Sequence, residues 1–209
     1  MKKLVIGVII LMTGTFLFAG EVNNLVSATY NYGVFTERTD NAKTKISSNG
    51  FDLAISSYFN DNWGIYLNTD YLFPSESTVT TGGISVTATS SDWDFSMLLS
   101  LIIGPTYKYN FSDKFELFGA LGFHVAEYSM TSKYSAVLNF SFGIGGDVGV
   151  RYFPSEHFYM TGGCLLSHDF RCEGKISTTY GSTKVSESYN FGSVRPYIGI
   201  GFKYKTTWF

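Results

Sequence analysis

At 209 residues and a formal net charge of −2, the chain has the length of one domain and no charge excess to draw it to nucleic acid. Charged residues make up only 15% and aromatics 18%, against about 25% charged in soluble domains, so the surface is short of charge for ordinary contact with water. Glycine is abundant (22) and proline scarce (4).

The chain opens with Lys2 and Lys3, an apolar run from Leu4 to Phe18, then Ala19-Gly20 and the first acid, Glu21. This is the layout of a secretory signal peptide over residues 1–20, leaving 21–209 as a single domain. An uncleaved anchor is the other reading, because the run approaches the length of a span. Position 21 is Glu and not Cys, so a lipid-anchored N-terminus is not indicated. Beyond it, no apolar run approaches the ~20 residues of a transmembrane helix, so any membrane crossing must be by strands.

Eight segments then repeat with a period of two. In the first, Val22, Val26, Ala28, Tyr30, Tyr32 and Val34 alternate with Asn23, Ser27, Thr29, Asn31 and Gly33. The second sets Phe51, Leu53, Ile55 and Phe59 against Asp52, Ala54, Ser56 and Tyr58, and the third sets Trp63, Ile65, Leu67, Tyr71 and Phe73 against Gly64, Tyr66, Asn68 and Asp70. In the fourth, Phe95 through Tyr109 at odd positions face Asp94, Ser96, Ser100, Gly104, Thr106 and Lys108. The fifth opposes Phe115, Leu117, Leu121, Phe123 and Val125 to Glu116, Ala120, Gly122, His124 and Ala126. The sixth opposes Leu138, Phe140, Phe142, Ile144, Val148, Val150 and Tyr152 to Asn139, Ser141, Gly143, Gly145, Asp147 and Arg151. The seventh, 158–170, is weaker. The eighth places Ile198, Ile200, Phe202, Tyr204, Thr206 and Trp208 against Gly199, Gly201, Lys203, Lys205 and Thr207.

The connections also alternate. Asp61-Asn62, Ser112-Asp113-Lys114 and Pro154-Ser155-Glu156-His157 are tight turns. The stretches 36–49, 74–93, 129–136 and 171–191 read as long, Ser/Thr/Gly/Asn-rich loops, and 77–90 and 175–188 within them carry hairpin patterns around Gly82-Gly83 and Tyr180-Gly181. Short turns at one end of the sheet and long loops at the other mark a transmembrane barrel.

A soluble barrel alternates too, but with its apolar face inside. Here the polar face is mostly Gly, Ser, Ala, Asn and Thr with isolated charges, which suits a crowded lumen better than a surface that should be rich in Lys and Glu. The fold expected is an all-β, eight-stranded, antiparallel up-and-down transmembrane β-barrel with short periplasmic turns and long extracellular loops. Asp70, Lys108, Glu116, His124, Asp147, Arg151 and Lys203 are the expected lumen charges. Phe59, Trp63, Phe111, Phe115, Tyr152, Phe158 and Trp208 share the outward phase beside the short turns and form the expected aromatic girdle. Tyr32, Tyr71, Phe73 and Phe95 stand where a second girdle would lie.

Taken over the whole mature chain, the leader, eight alternating segments, three short turns and terminal aromatics resemble the small outer-membrane barrels of Gram-negative-type bacteria, of the OmpA/OmpX type or the outer-membrane protein W type. The resemblance implies the bacterial outer membrane, a monomer held in lipid, and a terminal aromatic read by the barrel-assembly machinery, here Trp208 and Phe209. The outward phase ends at Trp208, where such families usually keep the last residue itself in that phase.

Chemistry is sparse. Ser167, His168 and Asp169 are adjacent strand residues on alternating faces and cannot converge by themselves. No spacing suggests a metal site or a cofactor, and none is expected. Cys164 and Cys172 stand about 26 Å apart along a straight strand, too far for a disulfide, so free thiols are expected. Two main functions remain open: a narrow conduit for small hydrophobic solutes, as the resemblance to outer-membrane protein W implies, or a platform whose extracellular loops mediate adhesion or surface interaction. A lipid-modifying enzyme, which some barrels of this architecture are, is the third and weakest reading, so no enzyme is expected. Lumen-phase Leu98, Ile102, Leu165 and Phe118 would make part of the interior apolar.

Overall fold

A computed structural model describes residues 20–39, 42–178, 181–187 and 190–208. The expected leader before Gly20, and Phe209, lie outside them. The elements are β1 (Gly20–Arg38), β2 (Ala42–Tyr58), β3 (Trp63–Thr81), β4 (Ile84–Thr89), β5 (Phe95–Ser112), β6 (Phe115–Thr131), β7 (Ser135–Tyr152), β8 (Phe158–Thr178), β9 (Gly181–Glu187) and β10 (Asn190–Trp208). Every pairing is antiparallel. β1 pairs with both β2 and β10, and β10 pairs with β8, so β1, β2, β3, β5, β6, β7, β8 and β10 close an eight-stranded barrel. Closure through β1 and β10 joins the two ends of the sheet, which matters in a bilayer, where an unmet backbone group is costly.

The alternation becomes an inside and an outside. Phe51, Phe123, Ile198 and Phe202 stand outward and exposed, while their neighbours Asp52, His124 and Gly201 turn inward and are buried. Val22, at the turn end of β1, and Leu67, in β3, are exceptions to the outward apolar phase and are buried. The girdle side chains Phe59, Trp63, Phe111 and Phe115 are exposed, and Tyr152 and Phe158 are half-buried. They contact neighbouring rings: Trp63 with Tyr107 at 5.0 Å, Phe115 with Tyr152 at 4.9 Å, and Phe158 with Phe202 at 5.7 Å between centroids. The backbone of Trp208 pairs with Gly20 at the end of the closing seam.

The turns at Asp61-Asn62, Asp113-Lys114 and 154–157 are short. At the first, Asn60 Oδ1 accepts from the N–H groups of Asn62 and Trp63 at 2.9 and 2.7 Å. The other end departs from expectation. Residues 36–49 and 129–136 are mostly strand and not long loops, since β1 runs to Arg38, β2 starts at Ala42, β6 ends at Thr131 and β7 starts at Ser135. Above the membrane both faces of a strand meet water, so a strand there carries polar residues throughout and reads as a loop. The 77–90 hairpin is β3–β4, whose turn residues Gly82 (φ 57) and Gly83 (φ 83) take the left-handed conformation that favours glycine. Its arms are joined by Thr78–Thr87 and Thr80–Ser85 hydroxyl pairs at 3.0 and 2.8 Å. β8–β9 forms the second hairpin.

Prolines mark three of the discontinuities in the ladders. A proline cannot donate to a ladder and belongs in a sheet only where pairing is interrupted. Around Pro196, the β1–β10 ladder skips from Asn31↔Tyr197 to Val34↔Val194. Around Pro105, the β5–β6 ladder skips from Ile103↔Phe123 to Thr106↔Ala120. At Pro74 the interruption is larger: the β3–β5 ladder ends at Leu72↔Leu98, and β3 continues upward paired to β4 instead.

Candidate functional site

The lumen is layered. Nearest the turns, Arg151 donates from Nη1 to Glu116 Oε1 at 2.6 Å and to the Tyr58 hydroxyl at 3.0 Å, and from Nη2 to Ser56 at 2.9 Å. Its guanidinium lies 3.7 Å from the centroid of the Phe118 ring. Lys108 meets the other oxygen of Glu116 at 3.3 Å and sits 4.5 Å over the Tyr58 ring. Lys203 is half-buried at the rim, 5.7 Å from the Phe153 ring, in an open basin of about 580 Å³ shared with Lys108 and Glu116.

In the middle layer, Tyr66 and Tyr197 donate to the two oxygens of Asp147 at 2.6 and 2.9 Å. Asp52 accepts from Thr29, from Asn31 at 3.3 Å and from Asn68 at 3.1 Å. Above it, Asp70 accepts from Arg195 Nη1 at 2.7 Å, Ser100 at 2.6 Å and Asn31 at 2.9 Å. His124 Nδ1 lies 2.6 Å from Asp169 Oδ1, and Ser141 donates to Asp169 Oδ2 at 2.5 Å.

An apolar cap closes the outer end. Phe35, Ile46, Leu72, Leu98, Tyr128 and Phe191 form one buried cluster, in which Phe35 and Phe191 stack with centroids 5.5 Å apart. Leu98 belongs to it, Ile102 and Leu165 pack in a middle cluster with Tyr66, and Phe118 lies under Arg151. Interior voids beside Asp52 and beside Tyr128 measure about 10 Å³ each, room for about one water. The described side chains therefore fill the barrel at every layer above the basin, and an eight-stranded cylinder is just narrow enough for that.

The cap abuts the break in the wall. Leu72 and Leu98 are both the last β3–β5 rung and members of the apolar cluster. Above them, the stretches 73–75 and 95–97 face each other without ladder pairing, joined by the Ser96 hydroxyl donating to the Pro74 carbonyl at 3.4 Å. The exposed rings of Phe73 and Phe95 flank this fork at the level of the second girdle.

Asp70, Lys108, Glu116, His124, Asp147 and Arg151 are all buried in these layers, with Lys203 at the rim. Asp52, Asp169 and Arg195 are further buried charged groups of the lumen. Each stands in the inward phase of its segment, and that phase was the available signal. Ser167 points inward to Ser193 at 2.6 Å, His168 points outward against Phe170, and Asp169 points inward to His124, so the three do not converge. Ser141, Asp169 and His124 do meet, but serine and imidazole both bond the carboxylate, which leaves no serine–histidine contact of the kind that activates a nucleophile. Cys164 is a free, half-buried thiol on the outward phase, and the Cys172 side chain lies outside the described ones.

Comparison with solved structures shows the same architecture. OprG from Pseudomonas aeruginosa superposes with a TM-score of 0.59 at 15% identity, covering 89% of this chain and 96% of that one. Neisserial surface protein A gives 0.56 at 12% identity, covering 87% and 97%. The outer membrane protein AlkL, solved in DMPC bilayers, gives 0.55 at 12% identity, covering 91% and 93%. No curated protein sequence matches the chain. Residues 18–191 match the outer membrane protein beta-barrel domain family. With its closed barrel, lipid-facing apolar belt and filled lumen, this chain belongs to that family and resides in the bacterial outer membrane.

Proposed function

We propose that this barrel is a short lateral conduit for small hydrophobic solutes, leading from the extracellular mouth through the fork between β3 and β5 into the bilayer. One observation carries the reading: the apolar cluster of Phe35, Ile46, Leu72, Leu98, Tyr128 and Phe191 ends at the rung above which the wall loses its ladder. An apolar solute that displaces the Phe35–Phe191 stack meets apolar side chains on one side and the unpaired segment on the other. It need not cross the charged layers below, where burying apolar matter against Asp70, Arg195 and Asp147 would leave polar groups unmet. Water-filled passage to the periplasm runs against those same layers.

The test locks the fork. In a background carrying Cys164→Ala and Cys172→Ala, Pro74→Cys with Ser96→Cys places a thiol on each side of the gap. Oxidation should stop uptake of a small apolar dye by cells carrying the barrel, and reductant should restore it. Uptake that continues unchanged in the oxidised form sinks the lateral path.

A second reading, adhesion or another surface interaction through the outer hairpins, is favoured by the β3–β4 hairpin. Val79, Ile84 and Val86 are 41%, 73% and 67% exposed there, above the barrel wall. Ile84→Ser with Val86→Ser should reduce attachment of expressing cells to a surface while leaving dye uptake intact if that reading holds. The remaining partner we assign is the assembly machinery, through the chain end. No catalytic role is proposed, because the inward Ser–Asp–His cluster lacks a nucleophile–base contact.

A further inference from the structure

The strand register sorts the outer wall of β2, β1, β10 and β8 into rows. Lys43 pairs with Arg38 and Arg38 with Asn190 in the uppermost row. Below it come Lys45, Thr36 and Gly192, with His168 next across β8. The third row is Ser47, Val34, Val194 and Leu166, and under that the face is the apolar belt. Because side chains two apart share a face, the three cations stand together on the lipid-facing side, at the height where the belt gives way to water.

A hollow of about 400 Å³ runs down this face from Arg38 and Lys43 to Val34 and Val194. Gly192 lies midway along it and supplies backbone where any other residue would fill the space. Among the described residues, Arg38, Lys43 and Lys45 take part in none of the ion pairs. Among the described side chains, the acid nearest by register on that face is Glu76, opposite Ser47 on β3, while Glu37 stands in the other phase of β1. Asp40, between Arg38 and Lys43 in sequence, lies outside the described residues. On the opposite wall the outward charge near the end of β6 is Glu127, with Lys133 exposed in the connection beyond it.

We propose that this hollow binds an outer-leaflet lipid whose headgroup carries phosphate, with the phosphate against Arg38, Lys43 and Lys45 and an acyl chain along Val34 and Val194. The occupant follows from the two ends of the hollow. Its lower end is continuous with the surface that touches hydrocarbon, where an acyl chain lies, and its upper end offers cations that, among the described residues, are paired to no acid. Clustered Lys and Arg beside a membrane surface are matched by anionic headgroups, and the guanidinium fork fits two phosphate oxygens.

The experiment uses the mature full-length barrel in detergent, titrated with bis-phosphorylated lipid A and, separately, with the same lipid dephosphorylated; retained lipid is counted by native mass spectrometry. The unaltered barrel should retain one phosphorylated lipid and none of the dephosphorylated form. Arg38→Gln/Lys43→Gln/Lys45→Gln should weaken retention on the order of a hundredfold, taking each surface cation at its usual worth. Gly192→Leu, which fills the hollow without altering charge, should weaken it as well and serves as the second variant should the triple one fail to fold. Lys114→Gln/Lys205→Gln, at the turn end, should retain lipid as the unaltered barrel does. Equal retention by the triple variant, equal retention of the dephosphorylated lipid, or equal loss in the turn-end variant each overturns the site.

Discussion

Arg195 and Asp70 meet at 2.7 Å in the centre of the barrel, 125 residues apart in sequence and both without solvent exposure. Neither has another opposite charge within bonding distance among the described residues. Removing one partner would strand the other in a medium that solvates it poorly. Arg195→Met should therefore lower barrel stability by about 3–5 kcal/mol, read as a shift in the urea midpoint of the refolded protein. Arg195→Met combined with Asp70→Leu should recover most of that loss, because replacing a buried pair by apolar groups is often neutral. If the double variant is as weak as the single one, the pair is not what holds this layer.

The Arg151 layer makes a sharper contrast between inside and outside. Arg151→Glu would set a second carboxylate beside Glu116 and remove the donors to Tyr58 and Ser56. The loss should exceed about 3 kcal/mol, whereas Lys133→Glu at the exposed outer connection should stay within about 0.5 kcal/mol. Heat-dependent gel mobility and urea unfolding measure both. Equal tolerance would mean that Arg151 reaches water.

What could be read in the sequence was whatever strand geometry dictates locally. A period of two is a property of the pleat, so the faces, the lumen phase of Asp147 and Arg151, and the girdle phase of Trp63 and Phe115 were legible from neighbours alone. Partnerships across the lumen were not. That Arg195 reaches Asp70 and His124 reaches Asp169 depends on how closure and stagger bring inward residues to one height, and no short-range pattern carries that information. The fork at Leu72 and Leu98 was hidden for the same reason, although Pro74 marked its place. Strand ends above the membrane were misread as loops because Lys43 to Ser47 alternates polar with polar, with only Ile46 to show the phase.

Glycine on the inner face makes room for specific neighbours. A Cβ on Gly201 would stand 2.2 Å from the ring of Tyr159, which is buried against Leu25 and Tyr58. Gly201→Ala should cost about 1–3 kcal/mol through overpacking. Paired with Tyr159→Leu, it should cost less than the two single changes added together, since the smaller side chain vacates the contested space. Simple additivity in the double-mutant cycle would show that the backbone shifts to relieve the contact instead.

The chain end separates assembly from stability. The backbone of Trp208 forms the last rung of the seam with Gly20; its side chain lies outside the described ones, and in sequence it follows the even-numbered series Ile198, Ile200, Phe202 and Tyr204, which stands outward. An indole at that height suits the membrane interface, so Trp208→Ala should lower the stability of the refolded barrel by about 1–2 kcal/mol, on the scale of losing most of one apolar side chain's burial. Phe209 follows that rung in sequence and lies outside the described residues. By the resemblance to small outer-membrane barrels, it is instead the residue we propose for recognition by the assembly machinery. Deleting Phe209 should reduce the heat-modifiable barrel recovered from outer membranes while leaving unaided refolding in detergent almost intact. Recovery at full level would show that the assembly signal lies elsewhere in β10, and refolding yields that fall in step with membrane recovery would show that Phe209 acts in the folded barrel itself.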